Sequence, residues 1–204
     1  SSYENSCKTH GAPLGEGNFA ETVRNLGGNP NTPFCIFPEV EKMYAERADE
    51  LGIEVKTLRG EEKAWAEANP SQAAMLAGWM KGKVAPLPWK TVEQKTGAAT
   101  RAASATVLGM LAQCVPNMIV ASADLCNSDK TDGFLKKSSA ITPTDFGGGF
   151  LQAGVSELTM ACVCIGMSLH GGVIPACGTF FVFSDYMKPA VRMAALMEVP
   201  VKFI

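Results

Sequence analysis

Residues 156–204 read SELTMACVCIGMSLHGGVIPACGTFFVFSDYMKPAVRMAALMEVPVKFI, and this stretch decides the fold class. Apolar helical patterns alternate in it with short β-branched or apolar runs, and two more elements precede it. The predicted helices are at 100–113, 156–169 and 184–197, and the predicted strands are at 118–122, 173–180 and 199–204. This alternation is typical of an α/β fold, in which a parallel sheet carries helices on both faces.

Composition excludes several classes of function. The 204 residues include 18 basic and 20 acidic ones, so the formal charge of −2 gives no electrostatic case for nucleic acid. No apolar run approaches the roughly 20 residues of a membrane span. Seven cysteines, an odd number, favour a reducing compartment, and we expect a cytoplasmic protein. Cys162 and Cys164 are two residues apart on one helix, so they are predicted to be buried small hydrophobes and not a metal pair.

The positions of Gly and Pro residues, together with shifts in charge, divide the sequence into three predicted segments. Residues 1–35 are loops around one short helix near 16–26, and 36–88 form a charged helical connector interrupted by prolines. Residues 89–204 form the α/β segment. The first residue is not Met and the last residues resemble a buried strand, so we expect an internal piece of a larger chain.

Glu157 is the candidate centre of a site. A carboxyl group at the start of an apolar helix is costly to bury, so a partner is expected to hold it. Phe180, Phe183 and Tyr186 follow the next strand and could form a slot for a flat heterocycle. The alternatives are a first-turn glutamate that serves only the helix dipole, and aromatic rings that only pack the core.

Polar candidates lie near the predicted strand ends. Asp124 follows the strand at 118–122, where ligands bind in parallel sheets, although a loop-capping aspartate is the alternative. Arg101 is a lone arginine on a predicted helix, for which a solvated charge is the usual interpretation. The Gly147–Gly149 run is interpreted as a flexible connection because no Lys-Ser/Thr follows it. His170 is assigned to packing or a turn.

Several motifs together carry a family resemblance. They are Thr9–Leu14, Thr100-Arg101, Ser122–Leu125 with Ser128, Gly154–Met160, Leu169–Gly172 and Thr179–Tyr186. In this order and spacing they resemble transketolase, from the end of its diphosphate-binding domain (1–35), across the connector (36–88), to an incomplete pyrimidine-binding domain (89–204). Ser156 and Leu158 depart from the pattern, since many transketolases have Arg and His there.

The resemblance implies a thiamine diphosphate site. Glu157 is expected to hydrogen-bond the N1′ atom of the aminopyrimidine and, with His10, to act in catalysis. The implied cofactor contacts are Phe180, Phe183 and Tyr186 around the pyrimidine, Leu125 beneath the bent cofactor and Asp124 beside it. The implied substrate contacts are Arg101 and Ser128 for the phosphate and His10 near the reacting carbon.

The resemblance also implies what lies elsewhere. The Gly-Asp-Gly…Asn signature that binds Mg²⁺ and the diphosphate is absent from the sequence, so the segment supplies no metal ligand. The implied reaction is transfer of a two-carbon ketol unit between sugar phosphates of the pentose phosphate pathway, in a homodimer with the active site at the subunit interface. Two alternatives remain: another thiamine-dependent ketol transferase such as dihydroxyacetone synthase, and a non-catalytic interaction subunit with a thiamine fold.

Overall fold

The computed structural model describes residues 3–204, so the first two residues of the predicted 1–35 segment lie outside it. The chain divides into two compact units, residues 1–67 and 68–204, which are described separately.

The first unit is helical. A 3₁₀ turn at Cys7–Thr9 precedes helix α1 (Glu16–Asn25) and the 31-residue helix α2 (Pro38–Ala68). Helix α2 has no buried residue. Charged pairs three or four residues apart line it, among them Arg47 with Glu50 at 2.8 Å and Arg59 with Glu62 at 2.6 Å. Such pairs add only a few tenths of a kcal/mol each on a solvated helix.

The second unit alternates helices and strands. Its helices are α3 (Pro70–Met80), α4 (Thr100–Cys114), α5 (Cys126–Asp129), α6 (Asp132–Leu135), α7 (Glu157–His170) and α8 (Ser184–Leu196). Its strands are β1 (Met118–Ser122), β2 (Phe150–Gln152), β3 (Ile174–Gly178) and β4 (Lys202–Phe203). Short 3₁₀ turns lie at Trp89–Thr91 and Phe181–Phe183.

The four strands form one parallel sheet in the order β2-β1-β3-β4. Alternate residues of β1 face opposite layers: Val120 packs with α4 and α6, whereas Ala121 packs with α7 and α8. The same alternation divides Ala176 from Cys177 on β3. Because each face is covered by helices, the predicted α/β fold class is confirmed.

Strand β2 was missed by the sequence patterns. It has three residues, too few for a period to show, and it pairs its Phe150 with Val120 of β1. The preceding glycines were predicted to be flexible, and this is wrong for Gly148 and Gly149. A Cβ on Gly148 would lie 2.6 Å from the Ser139 carbonyl oxygen, and one on Gly149 would lie 3.0 Å from the Phe134 ring. These glycines therefore permit close packing beside β2.

The two central cysteines of α7 differ in environment. Cys164 is buried as predicted, but Cys162 is exposed, because residues two apart on a helix point in different directions. The Cys164 thiol lies against Cys177 of β3. A hydrogen bond to Cys164, together with burial, raises the pKa of the Cys177 thiol. All seven cysteines are free thiols.

Among the described residues, no helix is both long and apolar enough to cross a bilayer, and no group of three or more His, Cys, Asp or Glu could hold a metal ion.

The crossing of α4 and α6 depends on Gly133. A Cβ there would lie 2.7 Å from Ala105 Cα and would also meet the Ala105 carbonyl oxygen. We expect Gly133→Ala to destabilise the chain by about 1–3 kcal/mol in urea unfolding, because backbone must move to admit the methyl group. Gly166→Ala is the control: Gly166 is an exposed position of α7 with open space around it, so alanine should stabilise by about 0.5–1 kcal/mol. Equal effects of the two substitutions would contradict the crowding at Gly133.

Candidate functional site

The candidate site lies at the carboxyl edge of the sheet. Ser122 ends β1 level with Gly178 at the end of β3 and with Gln152 at the end of β2. Since the strands are parallel, the segments that follow all three emerge at the same edge. The loop after β1, the start of α7 and the 3₁₀ turn before α8 are therefore neighbours.

Glu157 is the first residue of α7, and its side chain is buried, with 8% exposure. The turn before it is fixed by Gly154, which adopts a left-handed φ of +68° that favours glycine. Ser156 adds a hydroxyl bond of 2.7 Å to the Ala153 carbonyl oxygen. The backbone thus holds the carboxyl group in one place.

The carboxylate of Glu157 has no hydrogen-bond or ion-pair partner within residues 3–204. The positive end of the α7 dipole stabilises it by only about 0.3–1 kcal/mol. The side chain lines a cavity at the carboxyl edge of the sheet, so the carboxyl group is open to a bound molecule. A bound group that shares a proton with the carboxylate would be held here, and the family resemblance implies a ring nitrogen in that role.

Three aromatic rings stack beside the carboxyl group. Phe183 lies between Phe180 and Tyr186, with ring centroids 6.1 Å and 6.2 Å apart and planes inclined by 18° and 20°. The 3₁₀ turn leads directly into α8 at Ser184, whose hydroxyl caps the Phe181 carbonyl oxygen at 2.6 Å. This change of helix type sets the spacing of the rings.

A cavity of about 470 Å³ joins these features. It is lined by Ala123, Asp124, Leu125, Val155, Glu157, Phe183 and Tyr186. Five of the seven residues are sites predicted from the sequence; Ala123 and Val155 were missed, since nothing marks an alanine or an exposed valine as functional. An acidic group with aromatic and aliphatic walls suits a flat, weakly basic ring.

Asp124 has a backbone conformation that aspartate tolerates better than most residues. Its φ is +62°, in the left-handed region, and the side chain is exposed. The chain therefore turns away from the direction of β1 at Asp124, and the next residue, Leu125, lines the cavity.

Arg101 lies in a second cavity, of about 400 Å³. That cavity is lined by Thr100, Arg101, Ser104, Asp129, Thr131, Thr179, Phe180, Phe181 and Ile204. Arg101 Nη1 donates to the Ser128 carbonyl oxygen at 3.2 Å, but Ser128 is not among the lining residues and its hydroxyl donates to Asn127 Oδ1 at 3.2 Å. Phe180 faces this cavity and is absent from the lining of the Glu157 cavity, while its ring still stacks on Phe183.

Neither histidine is among the residues that line these two cavities. His10 is exposed at the end of the first 3₁₀ turn, in the first unit, so its predicted role near the substrate remains a prediction. His170 ends α7, where its Nδ1 lies 3.0 Å from the Gly171 carbonyl oxygen. That contact fits the predicted turn.

The Arg101 cavity also contains polar residues that sequence patterns did not identify. Thr179 Oγ1 is buried and has no hydrogen-bond partner among the described residues. Asp129 accepts hydrogen bonds from the backbone and the hydroxyl of Thr131, both at 2.8 Å. The signal that could have found this pair is the Asp-x-Thr spacing, which is typical of a side chain that bonds the backbone two residues later.

A parallel sheet with an aromatic cavity and a buried carboxyl group at its carboxyl edge defines a cofactor-binding α/β domain. Comparison with known proteins agrees. Residues 96–204 match the family model of the transketolase pyrimidine-binding domain, and residues 1–85 match that of the transketolase thiamine diphosphate-binding domain. The chain belongs to the transketolase family.

Similar proteins span nearly the whole chain. The chain is 33% identical to the transketolase of Treponema pallidum, and the match covers 98% of the chain. It is 36% identical to the transketolase of Bacillus subtilis, and that match covers 96% of the chain. The solved transketolase of Leishmania mexicana superposes on 94% of the chain with a TM-score of 0.78 at 28% identity. The chain spans only 31%, 30% and 29% of the lengths of these three proteins.

The unpaired carboxyl group leads to a stability prediction. We expect Glu157→Gln to leave the chain folded and within about 1 kcal/mol of the wild type, because the carboxylate has no partner among the described residues to lose and the helix-dipole contribution is only about 0.3–1 kcal/mol. Glu16→Gln is the matched control, since Glu16 occupies the same first position of the exposed helix α1. It should be neutral or slightly destabilising. Urea unfolding of both variants is the measurement, and a clear loss of stability in Glu157→Gln alone would show that the charge has a structural partner.

Proposed function

We propose that the chain is part of a transketolase that transfers a two-carbon ketol unit from a ketose phosphate to an aldose phosphate in the pentose phosphate pathway. The observation that carries the proposal is the 470 Å³ cavity, in which the unpaired carboxyl group of Glu157 meets the stacked rings of Phe183 and Tyr186. Because the chain spans about 30% of its relatives, the activity belongs to the complete protein.

When bound, thiamine diphosphate supplies the nucleophilic carbon that attacks the ketose and carries the two-carbon unit. Glu157 holds the cofactor by sharing a proton with a ring nitrogen of the aminopyrimidine. Phe183 stacks on the same ring, with Phe180 and Tyr186 extending the aromatic wall. Leu125 and Asp124, which line the same cavity, would contact the cofactor from the loop after β1. The cofactor also needs Mg²⁺, whose ligands we place outside this segment.

Arg101 and Ser128 bind the phosphate group of the sugar. Arg101 uses one nitrogen on the Ser128 carbonyl oxygen and makes no ion pair within residues 3–204, so its remaining N–H groups can bind a dianion. His10 is proposed to contact the substrate near the reacting carbon. A transketolase from Pichia stipitis has been solved with sedoheptulose 7-phosphate, and this relative matches 94% of the chain with a TM-score of 0.76.

We further propose a homodimer with active sites at the subunit interface. Helix α7 begins at Glu157 and presents an apolar outer face, on which Leu158 is 45% and Leu169 56% exposed. Burial of such a face against a second subunit is favourable. A cytoplasmic location is proposed on the basis of the free thiols, which suit a reducing compartment. The division into segments 1–35, 36–88 and 89–204 also remains a proposal.

Two other functions can be tested against this one. Dihydroxyacetone synthase would use the same Glu157 and aromatic rings, so assays with different aldehyde acceptors on the complete protein distinguish the two. A non-catalytic interaction subunit would need neither a buried carboxyl group nor a phosphate site. The retention of Glu157, Arg101 and Ser128 therefore favours the enzyme.

The proposed role of Glu157 predicts a catalytic loss. In the complete protein, Glu157→Gln should lower kcat by roughly 10² at saturating cofactor, because the amide cannot share a proton with the ring nitrogen. Glu198→Gln is the control, since Glu198 is an exposed carboxyl group after α8. Turnover of Glu157→Gln at the wild-type rate would exclude the catalytic assignment.

The proposed phosphate site predicts substrate-dependent losses. Arg101→Ala should raise KM for fructose 6-phosphate by about 10- to 100-fold, the equivalent of one charged hydrogen bond or a little more. The unphosphorylated ketose erythrulose should be nearly unaffected. Arg192→Ala, at an exposed arginine of α8, is the control. Equal losses with both donors would make Arg101 a structural residue.

A further inference from the structure

Asp129 has no role in the function proposed so far, yet its carboxylate is the most heavily bonded side chain at the candidate site. Its Oδ2 accepts from the Ser122 hydroxyl at 2.8 Å. Its Oδ1 accepts from both the backbone N–H and the hydroxyl of Thr131, each at 2.8 Å. Both oxygens are therefore occupied by donors from within the protein.

These donors are anchored in the core. Ser122, the last residue of β1, is fully buried, and Thr131 is 2% exposed. Thr131 packs on the last residue of β3: a Cβ on Gly178 would lie 2.6 Å from its methyl carbon. One carboxylate thus connects the carboxyl end of β1 to a residue packed on the carboxyl end of β3.

The same residue fixes the turn that carries two predicted ligands. The backbone N–H groups of Ser128 and Asp129 donate to the Leu125 carbonyl oxygen at 2.7 and 2.8 Å. The Leu125 N–H in turn donates to the Ser122 hydroxyl oxygen at 3.3 Å. Leu125, Ser128 and the carboxylate of Asp129 therefore form one hydrogen-bonded unit with the end of β1.

Charge decides between a binding and a positioning role. Asp129 lines the same cavity as Arg101, and a free carboxylate there would repel a phosphate group. The carboxylate of Asp129 instead accepts three hydrogen bonds from the protein itself. Arg101 contacts the turn through the Ser128 carbonyl oxygen, so a shift of the turn changes where the guanidinium lies.

We propose that Asp129 is a positioning residue, which holds the 125–131 turn so that Ser128 and Arg101 face the phosphate group of the donor sugar. This inference rests on the proposed transketolase function. The expected signature is a loss that depends on the phosphate group of the substrate, since a residue needed only for folding would affect all donors alike.

The test uses the complete protein with fructose 6-phosphate and erythrulose as donors. Asp129→Ala should raise KM for fructose 6-phosphate about tenfold, the equivalent of one charged hydrogen bond, and change KM for erythrulose and kcat by less than about threefold. Asp129→Asn keeps an acceptor for Thr131 and should restore KM to within about threefold of the wild type. Asp145→Ala is the matched control, because Asp145 also accepts a backbone N–H, from Gly147 at 2.8 Å, but in an exposed loop before β2. It should leave KM unchanged.

A second variant and a second readout keep the outcome clear. If Asp129→Ala does not fold, the isosteric Thr131→Val removes one of the three bonds and should raise KM for fructose 6-phosphate alone. Hydrogen exchange should be faster at residues 125–131 in the Asp129 and Thr131 variants. An unchanged KM, or equal increases with both donors, would overturn the positioning role while leaving the proposed function intact. Absence of ketol transfer by the wild-type protein would overturn both.

Discussion

The five-residue parallel pairing of β1 with β3 brings together the candidate residues that follow these two strands. It brings Ser122 level with Gly178, so that the loop with Asp124, the α5 turn and the aromatic segment all begin at one edge. Antiparallel pairing would send the segments after β1 and β3 to opposite edges. The site thus follows from strand direction, and strand direction follows from the helices that cross between the strands.

Two carboxyl groups at the site differ in how the chain satisfies them. Glu157 is 8% exposed and lines the 470 Å³ cavity, and no donor among the described residues bonds its carboxyl group. Natural proteins retain such a group where a bound molecule completes its hydrogen bonding. The contrast with Asp129 is direct, because that carboxylate has three donors from within the chain.

Much of the fold could be predicted because its elements are long or strongly patterned. Strand β1 has the predicted bounds, and α4, α7 and α8 agree with their predicted ranges to within one residue at each end. The last strand was predicted over six residues but only Lys202 and Phe203 pair with β3, because an apolar run does not show how far a neighbouring strand extends. Strand β2 exists only through its pairing with β1, so no local pattern marks it.

The candidate site was predicted less evenly than the fold. Glu157, Phe183 and Tyr186 line the same 470 Å³ cavity, as the family resemblance implied. The resemblance implied that Phe180 would share their cavity, but Phe180 precedes the 3₁₀ turn and lines the Arg101 cavity instead.

The free thiols differ in their access to solvent. Cys7, Cys35 and Cys162 are exposed, whereas Cys164 and Cys177 lie between α7 and the sheet. Alkylation should therefore proceed in separate phases, and the slowest phase would report how often the layer behind Glu157 opens.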